Sequence, residues 1–83
     1  LWLTGDAAWF GTPGPAEEFE LAGAAPLADL RDVVLAAGTV TVCTQCAVRR
    51  GLCPDDLLPG VRIAGAAAYV EEVLADGAQA LVY

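Results

Sequence analysis

The segment TVTVCTQCAVRRGL, residues 39–52, predicts a β-strand that runs directly into a short helix. Its first part is rich in β-branched residues, which favour an extended, half-buried backbone. The pattern predicts a strand over 39–44 and a helix over 45–50, which Gly51 would end. Cys43 therefore lies where a strand gives way to a helix.

The rest of the chain continues the alternation of strands and helices. We predict a loop or mobile segment over 11–23, with two of the five prolines, and a loop or a helical turn starting at Pro54 over 53–60. Further strands are predicted over 1–5, 61–65 and 78–83, with one helical turn in DAAWF and further helices over 25–38 and 66–77. Such alternation with short connections predicts an α/β fold with a parallel sheet covered by helices.

Two of the predicted helices have amphipathic patterns. In the helix over 25–38 the apolar face comprises Leu27, Leu30, Val33, Val34 and Ala37, and the opposite, polar side comprises Asp29, Arg31 and Asp32. In the helix over 66–77 the apolar side comprises Tyr69, Val70, Val73 and Leu74, and the water-facing side comprises Glu71, Glu72 and Asp76. We expect both apolar faces to pack on the sheet.

Length and charge restrict the function classes that the chain can serve. Its 83 residues predict one domain, and the 57% of hydrophobic residues predict a folded core. A net charge of −7 argues against nucleic acid or an anionic membrane surface as a partner, because phosphate groups require a basic face. No apolar run approaches the roughly 20 residues that span a bilayer, so no membrane association is expected.

Three cysteines lie close together in the chain: Cys43, Cys46 and Cys53. An odd, clustered number is a poor disulfide framework and indicates a reducing, cytoplasmic environment. The sequence has no histidine, so a cysteine–histidine or serine–histidine catalytic pair cannot form within the chain. The cysteines themselves are the candidates for chemistry.

Cys43 is the candidate nucleophile because a thiolate is stabilised at a helix N-terminus and beside cations. Arg49 and Arg50 follow one to two turns later, and they could create a local positive field that activates a thiolate or binds an anionic sulfur group. Cys46 is the candidate accessory thiol. The arginines could also simply favour the C-terminal end of their helix.

The CxxC motif leaves several interpretations open. It could be a redox dithiol in which Cys43 attacks and Cys46 resolves. It could be half of a zinc site, although only Cys53 remains as a third thiolate, and we predict no metal. It could also handle sulfur, with Cys43 carrying a persulfide. Finally, the cysteines could be small hydrophobic core residues, which is the main role expected for Cys53.

VCTQCAVRRGL (42–52) resembles the pattern around the sulfur-carrying cysteine of the DsrE/DsrF-like (TusD-like) family of sulfur-relay proteins, although Cys46 departs from the TusD pattern. IAGAAAYVEEVLADGAQALVY (63–83) resembles the closing segment of that family, and LWLTGDAAWF (1–10) resembles its second strand and the following turn. The family's first strand and helix have no counterpart here. We therefore expect a single DsrE-like domain over 1–83 that forms the C-terminal two-thirds of a longer domain.

The resemblance implies a flavodoxin-like α/β fold and a sulfur-relay function. Cys43 would accept sulfane sulfur as a persulfide, as in a sulfurtransferase, and transfer it to a partner. Sulfur donor and acceptor proteins, assembly into homo-oligomers or hetero-oligomers with related subunits, and no cofactor are implied as well. Two alternatives remain open: a noncatalytic interaction subunit of an oligomer, and a thiol–disulfide switch between Cys43 and Cys46.

Overall fold

The computed structural model describes residues 1–82 and contains a three-stranded parallel sheet. Its strands are β1 (Trp2–Leu3), β2 (Thr41–Cys43) and β3 (Arg62–Ala64), and they lie in that order. Trp2 pairs with Thr41 and Thr41 with Arg62, so these three side chains share one face of the sheet. The predicted α/β class is confirmed, and the arrangement is consistent with a flavodoxin-like fold.

Helices follow or precede each strand. The α-helices are α1 (Pro15–Glu18), α2 (Leu27–Ala37), α3 (Thr44–Arg49) and α4 (Ala66–Val73), and two 3-10 helices span Gly5–Gly11 and Pro54–Asp56. The predicted switch from β2 to α3 is confirmed, as are the helical turn after the first strand and the turn at Pro54. No helix within residues 1–82 is both long and apolar enough to cross a bilayer.

The segment predicted as a loop over 11–23 contains the short helix α1. Pro15 stands in its first turn, where the missing N–H of proline has no cost. The Glu17 carboxylate accepts a hydrogen bond of 2.8 Å from the Gly14 N–H. Gly14 has a φ of 112°, which favours glycine. The loop prediction was therefore wrong at this helix.

The C-terminal segment also departs from prediction. Helix α4 ends at Val73 rather than near residue 77, and the Ala78 N–H bonds to the Ala75 carbonyl in a turn. Residues 78–82 are not part of a strand, so the strand predicted over 78–83 was wrong for these residues; Tyr83 lies outside the described part. Strand propensity alone does not form a strand when no neighbouring strand pairs with the segment.

The hydrophobic core lies on one face of the sheet. Val40 and Val42 are fully buried there, together with Leu3 of β1. Ala8 of the first 3-10 helix and Ala47 of α3 pack against them. The 3-10 helix approaches so closely that a Cβ on Gly11 would lie 2.8 Å from a Val42 methyl carbon. This packing fixes the start of α3 against the sheet.

Helix α2 is oriented differently from its sequence pattern. Arg31, predicted on the polar side, is only 5% exposed, whereas Leu30 and Val33 of the predicted apolar face are 52% and 67% exposed. The guanidinium tolerates burial because it donates to Glu17 at 2.5 Å, to Asp32 at 2.9 Å and to the Phe10 carbonyl at 3.2 Å. The predicted apolar face of α2 was therefore wrong.

Helix α4 follows its predicted pattern only in part. Tyr69 and Val73 are half-buried as expected, but Val70 and Leu74 are 48% and 76% exposed. Glu72, predicted to face water, remains partly exposed and also accepts hydrogen bonds from the Trp2 indole at 2.7 Å and from the Arg62 guanidinium. These bonds hold α4 over the face of the sheet opposite the main core.

Candidate functional site

Cys43 lies at the carboxyl edge of the parallel sheet. It is the last residue of β2 and the N-cap of α3, with an extended backbone at φ −60° and ψ 132°. It pairs with Ala64 of β3 and is half-buried. Ligands of parallel α/β sheets bind beside this edge, where strands pass into helices. The structure thus places Cys43 at the position expected from the sequence.

The surroundings of Cys43 favour its thiolate form. Its thiol pKa is lowered below the ordinary value, above all because the backbone N–H of Cys46 faces the sulfur. The Cys46 side chain, the Gln45 N–H and the charge of Arg49 act in the same direction, against the opposing effect of burial. The sulfur makes no cap hydrogen bond of regular geometry, so these groups act chiefly as dipoles and charge on a negative sulfur.

Cys46 occupies the inward side of α3 and belongs to the core. It is 9% exposed, and the Gly5 N–H donates to its sulfur at 3.1 Å. All three cysteines are free thiols. Cys46 therefore packs in the core, and its side chain also contributes to the lowered pKa of the neighbouring Cys43.

The two adjacent arginines point to different partners. Arg49 is exposed, and its guanidinium lies 3.5 Å from the side-chain oxygen of Gln45. Arg50 donates to the Cys46 carbonyl at 3.1 Å and to Asp6 at 2.7 Å. Arg50 therefore joins the end of α3 to the first 3-10 helix, while Arg49 supplies the charge that acts on Cys43. A binding role for either arginine stays a prediction.

A smaller cavity of about 340 Å³ borders Cys43 between the starts of α3 and α4. Gly65 and Ala66 form its far wall, and Thr44 and Gln45 form the near one. Sequence reasoning did not single out the far wall. The signal was present, however, because VRIAG predicts a second strand ending at the same sheet edge as β2.

A larger cavity of about 630 Å³ also borders Cys43 and extends along β1 and α4. Trp2 and Tyr69 line it with their rings packed edge to face, 5.3 Å between centroids. The Arg62 guanidinium lies 5.5 Å from the centre of the Trp2 ring. No local pattern in the sequence predicts this cavity, because its walls come from segments far apart in the chain.

Cys53 lies apart from this site. It is exposed, it precedes the 3-10 helix Pro54–Asp56, and its N–H donates to the Asp56 carboxylate at 2.7 Å. The expected start of a helical turn is confirmed, but the expected burial was wrong. Within residues 1–82, no three cysteine, aspartate or glutamate side chains converge as metal ligands would.

These features define an α/β protein with a free cysteine at the strand-to-helix edge of its parallel sheet. The sequence profile of the DsrE/DsrF-like family matches residues 1–82, so the chain belongs to that family. Proteins of this family generally act in sulfur relay. The comparison with curated proteins and with solved structures found no match.

Proposed function

We propose that this protein is a sulfur carrier that holds sulfane sulfur as a persulfide on Cys43. The main support is the position of Cys43 at the start of α3, half-buried, between two cavities and with a lowered thiol pKa. Membership of a sulfur-relay family agrees with this chemistry. The low pKa matters because the thiolate is the form that attacks sulfur.

The transfer consists of two thiolate displacements. The Cys43 thiolate attacks the sulfane sulfur of a donor persulfide, the sulfur–sulfur bond of the donor breaks, and the donor leaves as a thiolate. An acceptor thiolate then attacks the outer sulfur of the Cys43 persulfide, and Cys43 leaves as a thiolate. A lowered pKa makes Cys43 a good leaving group in this second step. Each step conserves electrons without an added oxidant or cofactor.

Partner chains are part of this proposal. Leu30 and Val33 of α2, and Val70 and Leu74 of α4, expose apolar side chains at the surface. These side chains support contacts with donor and acceptor proteins or with further copies of the chain or related subunits. Such contacts would bury apolar area that the single chain leaves in water. A cytoplasmic location completes the proposal, since free thiols persist in a reducing compartment.

A second candidate function is a thiol–disulfide switch between Cys43 and Cys46. It is favoured by one observation, namely that both cysteines are free thiols at the start of α3, where Cys43 is the N-cap and Cys46 lies in the first turn. Its disulfide would form with loss of two hydrogen atoms, which an external disulfide would accept. A carrier gains the mass of sulfur instead, so the two functions differ in the product they leave on the protein.

The experiment is intact mass spectrometry of the native protein after incubation with inorganic polysulfide, before and after a reductant. We expect a gain of one sulfur atom that the reductant removes. Cys43→Ser should abolish the gain, Cys46→Ser should only reduce it, and Cys53→Ser should leave it unchanged. Equal loss in the first two variants would contradict a single carrier cysteine. No gain, with thiols that alkylate only after unfolding, would favour an interaction subunit.

A further inference from the structure

The larger cavity has the dimensions of a small-molecule site. Its volume of about 630 Å³ lies within the range of roughly 300–1,000 Å³ that is typical of ligand pockets. Cys43 stands at its border, and the cavity continues past the Trp2 and Tyr69 rings towards Val73 and Leu81. A ligand in this cavity could therefore reach the sulfur while it contacts the aromatic and apolar walls.

The walls of this cavity are mainly apolar and aromatic. The one acidic side chain in the lining, Glu72, is already bonded to the Trp2 indole and to Arg62. Among the described residues that line the cavity, no side chain is an arginine, a lysine or a histidine. The walls thus favour an uncharged organic group and offer no side-chain cation to an inorganic anion such as thiosulfate.

We propose that the larger cavity binds the organic group of a small persulfide, aromatic or aliphatic and uncharged, and holds its sulfane sulfur against Cys43. This inference rests on the proposed function of Cys43 as a sulfur acceptor and names the class of donor. The aromatic pair Trp2–Tyr69 contacts the organic group, and the strand-to-helix switch presents the thiolate.

The chemistry of loading is balanced within this pair of molecules. The Cys43 sulfur forms a bond to the outer sulfur of the donor, and the donor's sulfur–sulfur bond breaks. The electron pair of that bond leaves with the organic sulfur, which takes up a proton from water and becomes a thiol. Because this thiol keeps the organic group that the cavity recognises, it inhibits loading by competition with the donor.

Binding can be tested without sulfur transfer. Benzyl methyl sulfide carries an aromatic group but no sulfane sulfur, and Trp2 fluorescence reports its binding in a Trp9→Phe background. Val73→Phe fills the cavity from α4, and Val70→Phe adds the same ring at an exposed position of the same helix that does not line the cavity. We expect saturable binding that weakens about tenfold or more with Val73→Phe and is unchanged with Val70→Phe.

Loading of Cys43 is then compared among three donors in the unmodified protein: benzyl hydropersulfide, glutathione persulfide and inorganic polysulfide. We expect the benzyl donor to load about tenfold faster than the charged glutathione donor. Val73→Phe should remove this advantage and leave polysulfide loading intact. The donor comparison needs no variant, so it stands even where Val73→Phe does not fold.

The outcomes separate the two proposals. Polysulfide loading without a benzyl preference, or without saturable binding of the sulfide, overturns the cavity inference and leaves the carrier function in place. Absence of loading by any of the three donors overturns the carrier function, and the assignment of a donor class falls with it.

Discussion

Two cysteines in this protein occupy the same kind of backbone position but have opposite surroundings. Cys43 is the N-cap of α3, and Cys53 is the N-cap of the 3-10 helix Pro54–Asp56. The first turn of α3 has no acidic residue, whereas the first turn of the 3-10 helix contains Asp55 and Asp56. A position at the start of a helix therefore does not by itself make a cysteine functional.

Solvent exposure alone would predict that Cys53 is more reactive than Cys43, which is the opposite of the order that we expect. Cys53 is the exposed one, and Cys43 is half-buried between two cavities. Cys43, however, has backbone N–H groups and the charge of Arg49 directed at its sulfur. Thiolate character, more than exposure, controls cysteine reactivity. The reactivities of Cys43 and Cys53 can therefore be compared directly by experiment.

The largest expected effect is selective alkylation of Cys43 in the native protein. We expect Cys43 to react with iodoacetamide severalfold faster than Cys53 near neutral pH, because the lowered pKa of Cys43 raises its thiolate fraction. The buried Cys46 should be slowest. Site-resolved mass spectrometry after brief alkylation gives the three rates. In urea the rates of Cys43 and Cys53 should converge; a native Cys53 that reacts as fast as Cys43 would remove the basis of the comparison.

The pH dependence of the same reaction sharpens this result. The lowered pKa of Cys43 predicts that its alkylation rate reaches half of its maximum below pH 9.0, the ordinary value for a thiol. The half-maximum is expected at lower pH because groups that stabilise the thiolate let it form at lower pH. A half-maximum at or above that value would contradict the electrostatic account of the site.

We expect substitution of the two adjacent arginines to affect different properties: Arg49 the reactivity of Cys43, and Arg50 the stability of the fold. Arg49→Gln removes the charge that acts on Cys43, so alkylation should slow on the order of twofold at low salt, and less at high salt. Arg50→Gln removes the bonds to Asp6 and the Cys46 carbonyl, and it should lower the free energy of unfolding by about 1 kcal/mol. Alkylation rates and urea unfolding are measured for both variants. Equal slowing of alkylation by the two variants would contradict these separate roles of Arg49 and Arg50.

The smallest effect on cysteine alkylation is expected from substitution of Glu17, which lies in α1. Its hydrogen bond from Arg31 lowers its carboxyl pKa from 4.5 to about 2. A lowered pKa in the folded state contributes stability that is present above pH 4.5 and lost as pH falls towards 2. Urea unfolding of Glu17→Gln should therefore depend less on pH in this window than that of the unmodified protein.

The control for that variant is the ratio of Cys43 to Cys53 alkylation. We expect it to be the same in Glu17→Gln and in the unmodified protein at neutral pH. A changed ratio would mean that the charges around α1 and α2 reach the cysteine site. The local electrostatic account of Cys43 would then be incomplete.

The strand-to-helix switch could be predicted because its signals are local. β-Branched residues before Cys43 and a glycine after Arg50 define the ends of β2 and α3 within one short segment. The sheet edge follows from the alternation of elements. The position of the candidate site therefore follows from residues that are neighbours in the chain.

The burial of Arg31 could not be predicted in this way. Its partners are a carbonyl of the first 3-10 helix and the carboxylates of Glu17 and Asp32, and only the last is close in sequence. Helical periodicity shows which residues share a face, but not which face meets the rest of the fold. Because the Arg31 side of α2 meets the rest of the fold, Leu30 and Val33 are exposed.

The larger cavity escaped prediction for the same physical reason. Trp2 and Tyr69 meet across most of the length of the chain, and residues 78–82, which do not form a strand, complete the lining. Pairing of a last strand depends on a neighbour in the sheet, which local propensity does not encode. The position of Cys43 was predictable, and the surface that surrounds it was not.

The measurement that tests the central claim most directly is the location of the first sulfur atom. The unmodified protein is treated with less than one equivalent of inorganic polysulfide, alkylated at once and mapped by peptide mass spectrometry. We expect the persulfide on Cys43 in preference to the exposed Cys53. A first sulfur on Cys53, or an even distribution between the two, would contradict it.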